Sequence, residues 1–537
     1  MKIDVKQMNH LGIVSGILNE MALVDTIDKL IPKHPSMKLS IGTRIKAMVL
    51  NGTGFVESVI YLTEDFYKNT DTALLLGNNI KADDLNDDSL GRGLDAVYEY
   101  GVEKIFAAIA AKAIEHYKVD TSFRHGDTST VSVEGKYDKE GGDGLIRFGR
   151  SKDHRPDLKQ FLISTFVTGD GSIPLIFRVC PGNTSDAKHL RENLNDFIEN
   201  IDDSEQAITH IFDAAGYNKE MIVLMKSNIW ISRVPLTINE ARHFIESTLK
   251  DSFEVIDKNY SFLEKVSYYG GVMQRWFLIL SQERLASDLE TIEIRKQKER
   301  KLLDEKIKKV SKKKFDSKVD ADKVVATLKK NVRYHIVKHD DYIEQKVYKN
   351  KLKRQNADSY SIKYALSIQI IEDMDKINSF KDYAGKFIIA TNTTNDKELS
   401  AGKVLAEYKE QYRPEQSFRF LKSPLCIANA VYLKKTRRII ALAMVMFICL
   451  LVYALAERAL RKALVLNDIS VKSQLKKDTK KPTMSWIFKK MRAITLVEYE
   501  KDGKIVREIL NMTDEIKSVI TLLGSKCMEM YLLSASG

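Results

Sequence analysis

The stretch AITHIFDAAGYNKEMIVLMKSNIWISRVP, residues 207–235, reads as strand, helix, strand. The apolar run ITHIF leads into Asp213 and the small residues Ala214, Ala215 and Gly216. NKEMIVLMKS has helical spacing, and NIWISRV is a second short strand that stops at a proline. That order implies an α/β sheet with parallel members. A carboxylate at a strand end of such a sheet stands where ligands are usually held, and the small residues after it leave room for approach.

Upstream, TVSVEG, FLISTFVT and IPLIFRVC add three β-rich runs, separated by Gly-Asp-Gly and Gly-Asn turns. Asp127 lies at the start of the first, in RHGDTSTVSVEG. A helical stretch, AKHLRENLNDFIENI (187–201), precedes the strand that ends at Asp213. Residues 1 to about 118 read as helical and slightly acidic, with apolar spacing over Thr43–Leu50 and Leu90–Tyr117 and with Asp87 or Asp88 as N-cap.

Downstream, residues 284 to about 360 contain no Gly or Pro and hold 23 Lys+Arg against 13 Asp+Glu. Two readings stand: a solvated helical insertion stabilised by Lys/Glu pairs, or an arm that grips DNA. Strands return at SIKYALSIQII and KFIIATN. Helices follow at about 400–422 and 437–465, then a Lys-rich tail and an apolar helix near 514–534.

The 537 residues allow three or four domains, and the net charge of +12 suits a polyanionic partner. Four scattered cysteines (Cys180, Cys426, Cys449, Cys527) fit reduced thiols of an intracellular protein rather than a zinc site. The N-terminal residues have no apolar core of signal-peptide type. Ile439–Ala456 is an unbroken apolar run of 18 residues with basic residues at both ends. It is read as a helix buried in a large domain rather than a membrane span.

The most specific segment is YKEQYRPEQSFRFLK, Tyr408–Lys422. On one continuous helix, Tyr408, Gln411, Glu415, Arg419 and Lys422 share a stripe about 80° wide. Periodicity alone leaves a satisfied charged face and a functional face both open. Pro414 lacks an N–H and crowds the carbonyl of Glu410, so the helix kinks or starts afresh just before Glu415.

Tyr408, Glu415 and Lys422 resemble the Tyr-x6-Glu-x6-Lys signature of DDE transposases of the IS4 superfamily. GRSKDHRPDLKQF (149–161), PGNTSD (181–186), YGGVMQRW (269–276), FIIATN (387–392) and FRFLK (418–422) are similar, in order, to its IS1634-type branch. The chain departs from the pattern at Gln411, where an arginine is usual, and at Pro414, where an aliphatic residue is usual.

The resemblance implies an α/β fold with an RNase H-like catalytic core interrupted by an insertion, a helical N-terminal domain and a helical C-terminal tail. It divides the chain at 1–118 (possible DNA-end binding), 119–234 and 381–465 (core), 235–380 (insertion) and 466–537 (tail). It places Asp127 on the first strand, Asp213 on the fourth and Glu415 on a helix, as catalytic residues and as ligands of two Mg²⁺ ions, with Mn²⁺ as a substitute. Carboxylates suit such hard ions, and two ions can serve both the attacking and the leaving oxygen of a phosphodiester. Tyr408, Gln411, Arg419, Lys422, Lys152, Arg155 and Lys159 become the DNA contacts. Asp153, Asp157 and Asp186 are competing carboxylates, and His125 and His210 are supporting or packed residues. The implied partners are double-stranded DNA, as transposon ends and target, and a second copy of the chain at synapsis; no membrane is implied. The implied setting is a prokaryotic cytoplasm. An RNase H-like nuclease without strand transfer and a DNA-binding protein that has lost catalysis are the alternatives.

Overall fold

A computed structural model describes the chain apart from residues 1–2, 55–61, 135–143, 153–154, 186–190, 193, 195–207, 250–251, 349–359, 396, 398, 423–434 and 534–537. The fold is mixed α/β, built on one nine-stranded sheet. In chain order the strands are β1 (Ile3–Gln7), β2 (Phe123–Val133), β3 (Lys159–Thr168), β4 (Pro174–Pro181), β5 (Thr209–Phe212), β6 (Ile229–Val234), β7 (Glu254–Val255), β8 (Tyr260–Ser267), β9 (Gln274–Ser281), β10 (His335–Tyr348), β11 (Tyr360–Glu372), β12 (Lys386–Thr391), β13 (Val471–Lys472), β14 (Asp478–Thr479), β15 (Thr495–Lys501) and β16 (Lys504–Leu510). The large sheet runs β4-β3-β2-β5-β6-β12-β9-β8-β7.

Within it β2, β3 and β4 pair antiparallel, while β5 and β6 run parallel to β2. The β5–helix–β6 unit expected from residues 207–235 is present, with the helix at Lys219–Leu224. Its cap is Asn218, whose side chain accepts from the Met221 amide at 3.0 Å. Both faces of the sheet are covered, so strands such as β3 are buried almost throughout rather than alternating. The helix expected over 187–201 lies mainly outside the described residues.

Three expectations are corrected. The strands β7–β9 do not belong to an insertion apart from the core. They extend the same sheet through β12, which pairs with β6 on one side and β9 on the other. The insertion narrows to an arm: helix Gln282–Val310, helix Lys318–Lys329 and the β10–β11 hairpin. These pack on a small core of their own that includes Leu303, Val310, Val325, Leu328, Val337 and Leu366. The 1–118 region and the 466–537 tail are not separate helical units either. β1 pairs with β15, and β15 with β16. One continuous core runs from Met8 to Tyr531. The N-cap of helix Asp87–Tyr100 is Asn86, which accepts from the Ser89 amide at 2.9 Å; Asp87 and Asp88 lie in the first turn.

The helix Thr436–Leu466 joins the halves. By length and composition it is able to cross a membrane, yet its apolar residues are packed inside the protein. Phe447 stacks on Phe177 of β4 at 4.7 Å and meets Phe106 edge-on at 6.0 Å. Arginines at both of its ends have ion-pair partners. Arg437 and Arg438 pair with Asp95 at 2.9 and 2.7 Å, and Arg458 with Asp170 at 2.5 Å.

Candidate active site

The site begins with strand register. Gly126 pairs with Phe212, and Phe212 with Ser232, across three parallel strands. One residue further on, Asp127 within β2, Asp213 just past the end of β5 and Arg233 near the end of β6 therefore form a row across the sheet, about 4.8 Å apart per strand. Gly126 is required beside Asp127 because a Cβ there would sit 2.5 Å from the Phe166 ring.

The two aspartates differ in surroundings. Asp127 is half-buried and accepts from the Thr128 amide at 2.7 Å. Lys152 Nζ lies 3.9 Å from its Oδ1, held by Thr128 O and Oγ1 at 2.5 and 2.9 Å. Burial pushes the Asp127 carboxyl up to about 7; Lys152 opposes this, while the charges of Asp213 and Glu415 add to it. Asp213 closes its own turn through Oδ1, which accepts from the amides of Ala215 at 2.9 Å and Gly216 at 3.4 Å. Ser232 Oγ donates to its carbonyl at 3.0 Å.

Glu415 arrives on a fresh helix. The continuous helix expected over 400–422 is two, Ala401–Lys409 and Tyr412–Leu421. Pro414 falls in the first turn of the second, where a missing N–H is harmless. Tyr408 therefore sits on a different helix from Glu415, and the expected stripe is broken. Gln411 joins the two. Its Nε2 donates to Gly126 O at 3.0 Å and its Oε1 lies 3.2 Å from His125 Nδ1. Both ends of the amide are engaged with β2, which makes Gln411 an internal pin. That pin fixes the glutamate helix beside the aspartate strand, four residues before Glu415.

Asp213, Glu415, Gln411 and Tyr408 line one open cleft of about 680 Å³. Burial raises the Tyr408 phenol, with a hydrogen bond from Arg233 opposing and the Asp213 charge adding. Arg419 is exposed on the glutamate helix and Lys422 ends it, half-buried. Of the basic turn, Lys152 faces Asp127. Arg155 pairs with Asp157 at 2.8 Å in solvent, and Lys159 lies over the Phe148 ring at 5.8 Å. Asp153, His154 and Asp186 lie outside the described residues. His125 and His210 are buried and pushed down to about 4 and about 3, chiefly by desolvation.

The donor chemistry, three carboxylates whose charges oppose one another, fits a hard divalent cation. Among the described residues, however, no three His, Cys, Asp or Glu side chains converge closely enough to hold one metal ion. Sequence reasoning missed part of the cleft wall: Arg233, Arg284, Lys409, Tyr260 and Phe387. Arg233 was within reach. HIFD and WISR end in matched register, which places Arg233 beside Asp213.

Residues 3–111 match a family described as a domain of unknown function, DUF4277. No curated protein matches the chain. Among solved structures, the cryo-EM structure of the piggyBac transposase synaptic complex with hairpin DNA is 8% identical, with a TM-score of 0.38, covering 92% of this chain and 83% of that one. A likeness of that size carries no argument about fold or function.

Proposed function

We propose that this chain is a DNA transposase of the DDE type, cutting at the terminal inverted repeats of an insertion sequence and joining the 3′ ends to target DNA. The observation that carries the reading is the register that sets Asp127 of β2 beside Asp213 at the end of β5, with Glu415 brought to the cleft of Asp213 by a helix pinned through Gln411. The order β4-β3-β2-β5-β6, antiparallel for three strands and parallel for two, is the one expected of an RNase H-like core. The net charge of +12 and the ordered motifs of residues 149–422 support the same reading.

Asp127, Asp213 and Glu415 would hold two Mg²⁺ ions, with Mn²⁺ as a substitute; the ions would supply an activated water and neutralise the phosphodiester oxygens. The protein's own part is positional. β2 and β5 fix the two aspartates, and Gln411 fixes the start of the glutamate helix. Lys152 balances the charge of Asp127. DNA lies along the cleft between the glutamate helix and the first turn of the arm.

The test uses the full chain, Mg²⁺ and duplexes bearing the inverted repeats that flank its gene. Cutting at the repeat ends together with joined product is the expected result. Cutting without joining would leave a nuclease, and binding without cutting would leave a DNA-binding protein. Retained cutting by Asp127→Ala, Asp213→Ala and Glu415→Ala would remove the site assignment.

A further inference from the structure

We infer that Arg233 and Arg284 form a clamp for a backbone phosphate of the DNA strand lying in the cleft; this rests on the reading of the cleft as a DNA site and adds the groups that hold its substrate. The two come from distant parts of the chain. Arg233 is on β6, one strand beyond Asp213 in the row, and Arg284 is in the first turn of the arm helix. Both line the same cleft as Asp213 and Glu415.

One ring organises them. The guanidinium of Arg233 lies 5.7 Å from the centroid of Phe387, and that of Arg284 lies 5.6 Å from it. Guanidinium groups stack on aromatic faces and keep their planar fork for other acceptors. Arg233 is further held by the Tyr408 hydroxyl, which is not an anion. Arg284 reaches Asp288 by a long 3.4 Å contact through Nε alone. Two like charges sharing one ring repel each other, and an anion between them relieves that repulsion. A phosphate oxygen pair matches the arginine fork in geometry as well as charge.

Placement makes the clamp specific. Register sets Asp127 of β2, Asp213 after β5 and Arg233 of β6 side by side, so a strand crossing the sheet in that direction meets the carboxylates first and then the cations. Gln411, which faces β2, brings no charge here. Arg233 and Arg284 supply it from the other wall. Glu283 also lines the cleft beside Arg284, which keeps the wall from being a general anion sink.

The test is a fluorescence-anisotropy titration of the full chain against a labelled inverted-repeat duplex, with Ca²⁺ in place of Mg²⁺, at several salt concentrations. Arg233→Gln and Arg284→Gln are each expected to weaken binding about tenfold or more. Each should lower the slope of log affinity against log salt by about 0.9. Arg233→Lys should keep the slope and lose part of the affinity, which separates lost charge from lost fold. Phe387→Leu should weaken binding with an unchanged slope. Arg300→Gln, on the exposed face of the arm and paired with Asp304, should bind as the unaltered protein does. If both glutamine variants keep the affinity and slope of a protein that binds and cuts, the clamp is overturned alone. If the unaltered protein binds no duplex, the clamp falls together with the function proposed above.

Discussion

Asp127→Asn is the most informative single change, because its effect on stability has a sign fixed by pH. The carboxyl rises from an ordinary 3.8 to about 7 in the folded chain. Below pH 4 the side chain is protonated in both folded and unfolded chains, so it contributes nothing. Between pH 4 and 7 the unfolded chain has lost the proton and the folded chain keeps it. Stability is therefore lost as pH rises through that window and levels off above it. At about 1.4 kcal/mol per pH unit the loss reaches about 4 kcal/mol. With 19% of the side chain still exposed, solvent trims this to about 2–4 kcal/mol. Asparagine keeps an oxygen for the Thr128 amide and cannot ionise. Urea denaturation at pH 4.5 and pH 8, without divalent ions, should show the variant only slightly changed at the first pH and about 2–4 kcal/mol more stable at the second. Adding Mg²⁺ at pH 8 should narrow the difference, since an ion at about 100 times its Kd adds about 2.7 kcal/mol to the chain that binds it. A wild-type-minus-variant difference that stays flat from pH 4.5 to 8 would refute the buried-carboxyl argument.

Three further outcomes follow from the packing. Gln411→Ala removes two hydrogen bonds between the glutamate helix and β2, so it should cost about 1–3 kcal/mol of stability. It should also lower kcat more than it raises KM in a cleavage assay, because Glu415 loses its anchor. Pro414→Ala, at a first-turn position, should change the melting free energy by less than about 1 kcal/mol, measured by calorimetry. Phe447→Ala opens a cavity between Phe106 and Phe177 and should cost about 3–5 kcal/mol by denaturant titration, as expected of a core helix rather than a lipid-facing one.

Local pattern carried the central strands. The β5–helix–β6 unit was legible because apolar runs, small residues and a terminating proline all act within a few residues. The placement of Asp213 at a strand end came from the same signals, whereas Asp127, expected at the start of its strand, lies inside β2, which begins at Phe123. What escaped depends on partners far away in sequence. Gln411 looks like a surface residue until β2, some 285 positions earlier, is set beside it. The break between the two helices was foreshadowed by Pro414, but the fate of Tyr408 was not. The arm begins later than expected because β7–β9 find their neighbour in β12, a pairing that strand composition cannot specify. The basic ends of the apolar helix likewise gain their meaning only from Asp95 and Asp170.

The pairing of β1 with β15, over a core shared by residues 8 to 531, has a consequence for synthesis. The N-terminal helices leave the ribosome long before the Thr436–Leu466 helix that covers their apolar faces. At about 5–20 residues per second, some 15–60 s separate the two. During that interval Phe106 lacks Phe447, and the sides of helices Asp87–Tyr100 and Val102–Tyr117 that meet the late helix lack that part of their cover, so the nascent chain is exposed to aggregation and to chaperone capture. Excising residues 1–118 as a free-standing fragment would make that transient condition permanent.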